Sequence, residues 1–154
     1  MRLAFTGSGK GKTSAALGIA LRAWGHGLRV LYVGVMKTPF YMGEEVGEYK
    51  AMRRLGIDAV YLTDLRSPAA LLEYALSQGD SYDVVVLDEL LYAVRQDLLE
   101  PRHLGDLARL RSHVVVTGGY WEEGFGGYFD LVTRLDNVKH YYQRGVLAIR
   151  GLDW

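Results

Sequence analysis

Residues Gly7-Ser8-Gly9-Lys10-Gly11-Lys12-Thr13-Ser14 have the make-up of an anion site. Glycines let successive backbone N–H groups turn inward as a nest. A helix starting at Lys12 or Thr13 aims the positive end of its dipole at the same point. Lys12 brings a point charge to phosphate oxygens, and the Thr13 hydroxyl stands where a phosphate-binding loop ligates Mg²⁺. The ligand expected is therefore the phosphate chain of ATP. The usual pattern has four residues between its first glycine and Gly-Lys-Thr, which puts that glycine at Thr6. Gly7 comes one place late, so the loop reads as shortened.

A second pair of residues supports this chemistry. Val84-Val85-Val86-Leu87 runs directly into Asp88-Glu89. Two carboxylates at the end of a buried strand are costly unless a cation is close. A magnesium–phosphate cluster supplies that charge. Placement alone allows either Asp88 or Glu89 to lead. Asp83 and Asp97 lie outside the run and read as solvated.

These groups need a frame. Short β-rich runs alternate with helical patterns, the mark of an α/β domain with a mainly parallel sheet and helices on both faces. Strands are expected at Leu3–Thr6, Arg29–Val35, Ala59–Leu62, Val84–Leu87, Val114–Thr117 and Leu131–Leu135. The first helix should bury Ala16, Ile19, Ala20, Ala23 and Trp24, which repeat at helical spacing, and stop near Gly25 and Gly27. A second helix runs from Ser67 to Gln78 with Ser67 as N-cap and Pro68 first inside. A third covers Arg102 to Arg111. Met36–Val46 and Gly118–Tyr128 fit no regular element. Each follows a strand, where parallel α/β folds bind ligands. The glycines of the second segment suggest a loop that orders when a ligand arrives.

The whole chain sets limits. Its 154 residues, 49% of them apolar, suit a single domain spanning 1–154. Formal net charge is zero, which counts against a nucleic-acid binder. The absence of cysteine excludes disulfides, thiolate nucleophiles and cysteine-ligated metals. His26, His103, His113 and His140 show no metal-ligand spacing. With no signal peptide and no apolar stretch near the ~20 residues of a membrane span, a cytoplasmic soluble protein is expected.

Taken in order, these residues resemble the P-loop corrinoid adenosyltransferases. Thr6 to Ala16 is similar to that family's shortened loop, and Ala20-Leu21-Arg22-Ala23 with Gly25-His26-Gly27 follows at the family's distance. Lys37 stands where the family has a lysine after the second strand. Gly47-Glu48-Tyr49, Arg53-Arg54-Leu55-Gly56, Val85 to Leu90 with Tyr92, Val116-Thr117-Gly118, Asp130 to Thr133 and Val138-Lys139-His140 are similar too. So is the ending Gly151-Leu152-Asp153-Trp154.

The resemblance implies a P-loop NTPase-like fold and a homodimeric enzyme served by a reductase. Its reaction moves the 5′-deoxyadenosyl group of ATP to the cobalt of a reduced corrinoid and expels triphosphate. It also implies that Lys12 and the Gly7–Gly11 backbone, with Ser14, hold triphosphate, that Lys12 and Glu89 are the catalytic groups, and that Thr13 and Glu89 hold Mg²⁺ with Asp88 in support. Arg22 lies ~13.5 Å along the helix from Thr13 at 1.5 Å per residue, so its expected service to a nucleotide is across the dimer. The corrinoid is expected between the two irregular segments, with Tyr41 and Trp121 as apolar faces and Lys37 and His140 at its edge.

There are departures from the family. The family's Gly-Phe-Thr-Trp motif is replaced by Thr63-Asp64-Leu65-Arg66, its arginine after Thr-Gly by Gly119, and the loop's asparagine by Ser8. The chain also starts two residues before the first strand, where the family often has a covering segment. Two other functions stay open: a non-catalytic nucleotide- or corrinoid-binding homologue, and a small P-loop ATPase or kinase in which Glu89 polarises water or an acceptor hydroxyl.

Overall fold

Val30–Gly34 (β2) and Val84–Asp88 (β6) are buried at every residue, as strands covered on both faces must be. The computed structural model describes Met1–Trp154. The other strands of the main sheet are Arg2–Thr6 (β1), Asp58–Tyr61 (β5), His113–Thr117 (β7) and Leu131–Arg134 (β8). They lie in the order β5-β2-β6-β7-β1-β8, and every pairing is parallel. The expected strands are all present, with ends shifted by a residue or so. The α/β, P-loop-like architecture is the one the sequence implies.

Side chains alternate across the sheet with period two. Leu31, Val33, Val85, Leu87, Val114 and Val116 enter one core layer, against Pro68–Gln78 (α4), Leu90–Arg95 (α5) and His103–Asp106 (α6). Tyr32, Val84, Val86 and Val115 enter the other, against Lys12–Gly25 (α1) and Gly47–Leu55 (α2). Ala16, Ala20 and Ala23 are the buried residues of α1, and their small size lets the helix lie close to the sheet. Trp24, expected on that face, is 40% exposed; its indole instead donates to the Leu55 carbonyl at 2.8 Å and ties α1 to α2. Ile19 is half-buried. Helix α4 begins as expected, with the Ser67 hydroxyl accepting from Ala70 N–H at 3.1 Å and Pro68 at its start.

Several features differ from expectation. The helix expected over Arg102–Arg111 is a single α turn, α6, followed by a 3₁₀ turn at Leu107–Arg109. Gly105 weakens its interior, and the Tyr128 ring packs closely over that glycine. Helices α2 and α5 arise where none is expected. Met36–Val46 contains a hairpin, Phe40–Tyr41 (β3) paired with Glu44–Glu45 (β4). Its turn residues Met42 and Gly43 both have positive φ, 49° and 83°, the requirement of a tight two-residue hairpin turn.

Gly118–Tyr128 is not an open loop. It forms a 3₁₀ segment over Glu123–Tyr128 with Phe125 buried, and Trp121 packs on Phe125 and Phe129 at ring separations of 5.7 and 5.9 Å. Its aromatics pack on one another and against the core. A short helix, Leu62–Leu65 (α3), follows β5. No helix of the protein is long and apolar enough to cross a membrane.

Candidate functional site

The parallel register brings four strand ends side by side. Gly34 pairs with Asp88, Leu87 with Val116, and Phe5 with Thr117. Thr6, Thr117, Asp88 and Gly34 therefore line one edge of the sheet, and the phosphate loop crosses above it. Between β1 and α1 the chain turns through Gly7 (φ 102°) and Gly11 (φ 109°), conformations that side chains rarely adopt.

The glycines of this loop also answer a packing demand that the sequence did not reveal. A Cβ at Gly7 would lie 2.2 Å from the Leu135 carbonyl oxygen, and one at Gly9 2.7 Å from the same atom. The loop rests directly on the backbone that leaves β8. Gly9 N–H donates to Leu135 O at 2.8 Å and Lys10 N–H to the Asn137 side chain at 3.0 Å. Those two N–H groups hold the loop in place; the protein engages them before any phosphate does. Lys12 spans the loop, its ammonium donating to Gly7 O at 3.0 Å and Gly9 O at 2.7 Å.

Asp88 is a fully buried carboxylate at the centre of a network. Its oxygens accept from Tyr32 OH at 2.7 Å, Thr117 OH at 2.5 Å and Thr13 OH at 3.1 Å, and Lys37 Nζ lies 2.7 Å away. Lys37 also donates to the Thr13 hydroxyl at 2.9 Å. Thr117 in turn accepts from Glu89 N–H at 2.9 Å, so one hydroxyl fixes both acidic residues. Burial, and then the Asp88 charge, pushes the Tyr32 phenol well above its ordinary value. It is a donor at any working pH.

Glu89 adopts a left-handed conformation, φ 62°, and faces the cleft. Burial, and then the neighbouring Asp88, raises its carboxyl pKa above the ordinary 4.5. The folded state therefore holds this proton more tightly than the unfolded chain. Stability drops as pH rises from the ordinary value through the raised one, and the cost persists above it. Glu89→Gln is expected to stabilise the metal-free protein at neutral pH and to make no difference below the carboxylate range. Thermal melts of both proteins across pH check this. The same variant should weaken the Mg²⁺ dependence of nucleotide binding.

The cleft has a volume of about 330 Å³ and is lined by Lys10, Lys12 and Lys37 together with Thr13, Ser14 and Glu89. Its donor set suits Mg²⁺. The cation usually takes one or two carboxylates and completes its shell with water and substrate phosphate. Glu89 and the Thr13 hydroxyl face the cleft, and Asp88 stands behind Thr13.

Of the residues expected around a corrinoid, Lys37 and Tyr41 line one cavity beside the cleft, and Trp121 and His140 are not part of its lining. Lys37 is engaged with Asp88. Tyr41 lies against Trp154 at 5.4 Å. Trp121, half-buried, packs on Phe125 and Phe129, and His140 lies against Tyr141 at 4.5 Å while its Nδ1 accepts from Tyr142 N–H. Arg22 is exposed on the last turn of α1. Thr63-Asp64-Leu65-Arg66 is exposed, and Asp64 accepts from Tyr61 N–H at 2.7 Å to start α3.

Sequence reasoning missed Tyr32, Thr117 and the role of residues 149–154. A signal for Tyr32 was available: a tyrosine inside the apolar run of β2 must find a partner for its hydroxyl. Asp153 pairs with the Lys10 ammonium and accepts from Tyr141 OH and Ile149 N–H. The Lys10 and Tyr141 hydrogen bonds pull its carboxyl pKa down to about 2.

The sequence matches the family described as ATP:corrinoid adenosyltransferase BtuR/CobO/CobP over residues 1–154. It is 35% identical over 167 residues to a corrinoid adenosyltransferase of Pseudomonas aeruginosa, covering 99% of this chain and 82% of that protein. It is 31% identical to a corrinoid adenosyltransferase of Escherichia coli, covering 99% and 84%, and 30% identical to corrinoid adenosyltransferase CobA of Salmonella typhimurium with the same coverage.

Proposed function

Since this chain belongs to the ATP:corrinoid adenosyltransferase family, a family of transferases, we propose that it moves the 5′-deoxyadenosyl group of ATP to the cobalt of a reduced corrinoid and releases triphosphate. The observation that carries the proposal is the convergence of Lys10, Lys12 and Lys37 on one cleft above the phosphate loop. Three cations suit a leaving group of high negative charge.

The cobalt(I) electron pair forms the bond to C5′, and the C5′–O bond breaks with its electrons passing to triphosphate. The nucleophile is the substrate metal, so the protein need not supply a general base. Its contribution is positioning and stabilisation of developing charge on the leaving oxygens. Lys12 and the free N–H groups of the loop hold the phosphates. Thr13 and Glu89 would hold Mg²⁺, which would neutralise phosphate charge there. Asp88 acts through Thr13 and Lys37, whose positions it fixes. An assay with ATP, Mg²⁺ and chemically reduced cobalamin tests the proposal: the spectrum of cob(I)alamin should give way to that of adenosylcobalamin. ATP binding without that change would instead identify a non-catalytic homologue.

A homodimer in the cytoplasm, reduced corrinoid delivered by a reductase, and Arg22 acting across the dimer complete the proposal. Arg22 sits at the far end of α1 from the phosphate loop, so it serves the partner's nucleotide. Mixing inactive Arg22→Ala with inactive Lys12→Ala chains should then restore up to a quarter or so of the parent's activity. No recovery in verified heterodimers would remove Arg22 from the site.

A further inference from the structure

Beside the phosphate-loop cleft lies a second cavity of about 300 Å³, walled by Phe40, Tyr41, Val46, Ala148 and Trp154. The two cavities adjoin, because Lys37, Glu48, Asp153 and Trp154 line both. One end of the combined site holds the glycine loop with Lys10, Lys12 and Lys37, and the other is aromatic, the division a nucleoside triphosphate requires. The aromatic end, at about 300 Å³, has room for a planar base.

We propose that the purine base of the bound nucleotide rests on the aromatic wall formed by Tyr41 and Trp154, and that the Lys10–Asp153 pair ties this wall to the phosphate loop. The proposal rests on the reading that the loop holds the phosphates of ATP.

The wall is assembled from two segments fastened to each other. The hairpin β3–β4 supplies Tyr41, and the 149–154 segment supplies Trp154. Their rings meet at 5.4 Å, and Arg150 bridges them by pairing with Glu44 at 3.2 Å while lying over the Trp154 ring at 6.0 Å. Tyr41 remains 42% exposed and Phe40 53%, so aromatic surface is left for a ligand. Asp153, next in the chain to Trp154, holds Lys10 of the phosphate loop. The spacing between phosphate site and base site is thereby set by a direct side-chain link.

Calorimetric titration of MgATP and of magnesium tripolyphosphate, which has no base, separates the two ends. Trp154→Ala and Tyr41→Ala are expected to weaken ATP binding roughly 5- to 100-fold, the range for loss of a base–aromatic stack, and to leave tripolyphosphate affinity unchanged. Trp154→Phe should retain most of the ATP affinity. Lys12→Ala should lose both ligands. If both aromatic variants bind ATP like the parent, the base lies elsewhere; a fall in cob(II)alamin affinity in those variants would then assign the wall to the corrinoid. Equal losses for ATP and tripolyphosphate in Trp154→Ala would mean that the segment acts only on the phosphate loop, which also overturns the base contact. A Lys12→Ala protein that binds tripolyphosphate like the parent would overturn the phosphate reading itself.

Discussion

Lys12→Ala is expected to lower MgATP affinity by about 100-fold, from the loss of charge-assisted hydrogen bonds worth roughly 1.5–3 kcal/mol each, while leaving the protein folded. The ammonium already lies across the loop, 3.0 Å from Gly7 O and 2.7 Å from Gly9 O. Its charge is thus held beside the N–H nest before nucleotide binds. The loop keeps its shape without it, because the Gly9 and Lys10 N–H groups are anchored to Leu135 and Asn137. Calorimetry measures the affinity, and circular dichroism checks the fold. A variant that binds MgATP as tightly as the parent would place the nucleotide somewhere other than this loop.

Asp88→Ala is expected to cost about 3 kcal/mol of stability or more, the scale on which removing one member of a buried charged pair acts. Tyr32, Thr117, Thr13 and Lys37 all converge on its two oxygens. Lys37 is partly exposed and can turn toward the cleft. The Tyr32 and Thr117 hydroxyls are fully buried and cannot, so they keep the larger part of the penalty. Urea denaturation gives the value. Combining Asp88→Ala with Tyr32→Phe should recover part of the loss, since one orphaned donor is then gone. A loss under about 0.5 kcal/mol in the single variant would mean that Asp88 does not hold this network together.

Much of this arrangement was legible in the sequence. The continuous apolar runs of β6 and β7 identify doubly covered strands, and the glycine–lysine–threonine run identifies the strand-to-helix turn. What stayed hidden depends on contacts between distant residues. Thr117 looks like the end of a strand until the register sets it beside Asp88. Gly7 and Gly9 read as nest residues, although both are also required by the backbone of Leu135. The hairpin at Phe40–Glu45 is too short for any periodicity, and its Met42-Gly43 turn lacks the usual asparagine. Trp24 has the spacing of a buried residue, yet packing places it at a helix–helix seam where its indole finds the Leu55 carbonyl. Trp121 shows how composition misleads: glycines and aromatics together suggested an open binding loop, whereas the aromatics pack on each other and close it.

The 149–154 segment has no regular pattern, and its place over the phosphate loop follows from one charged pair between Lys10 and Asp153. These two residues are far apart in sequence and ordinary in type. Neither shows its role without the fold.

The most direct test of the account is the identity of the phosphate product. Phosphorus NMR of a reaction containing ATP, Mg²⁺ and cob(I)alamin should show intact triphosphate, formed in equal amount to adenosylcobalamin and absent when the corrinoid is omitted. Orthophosphate and ADP released without adenosylcobalamin would contradict it, because the cleft would then be cleaving the phosphate chain instead of expelling it whole from C5′.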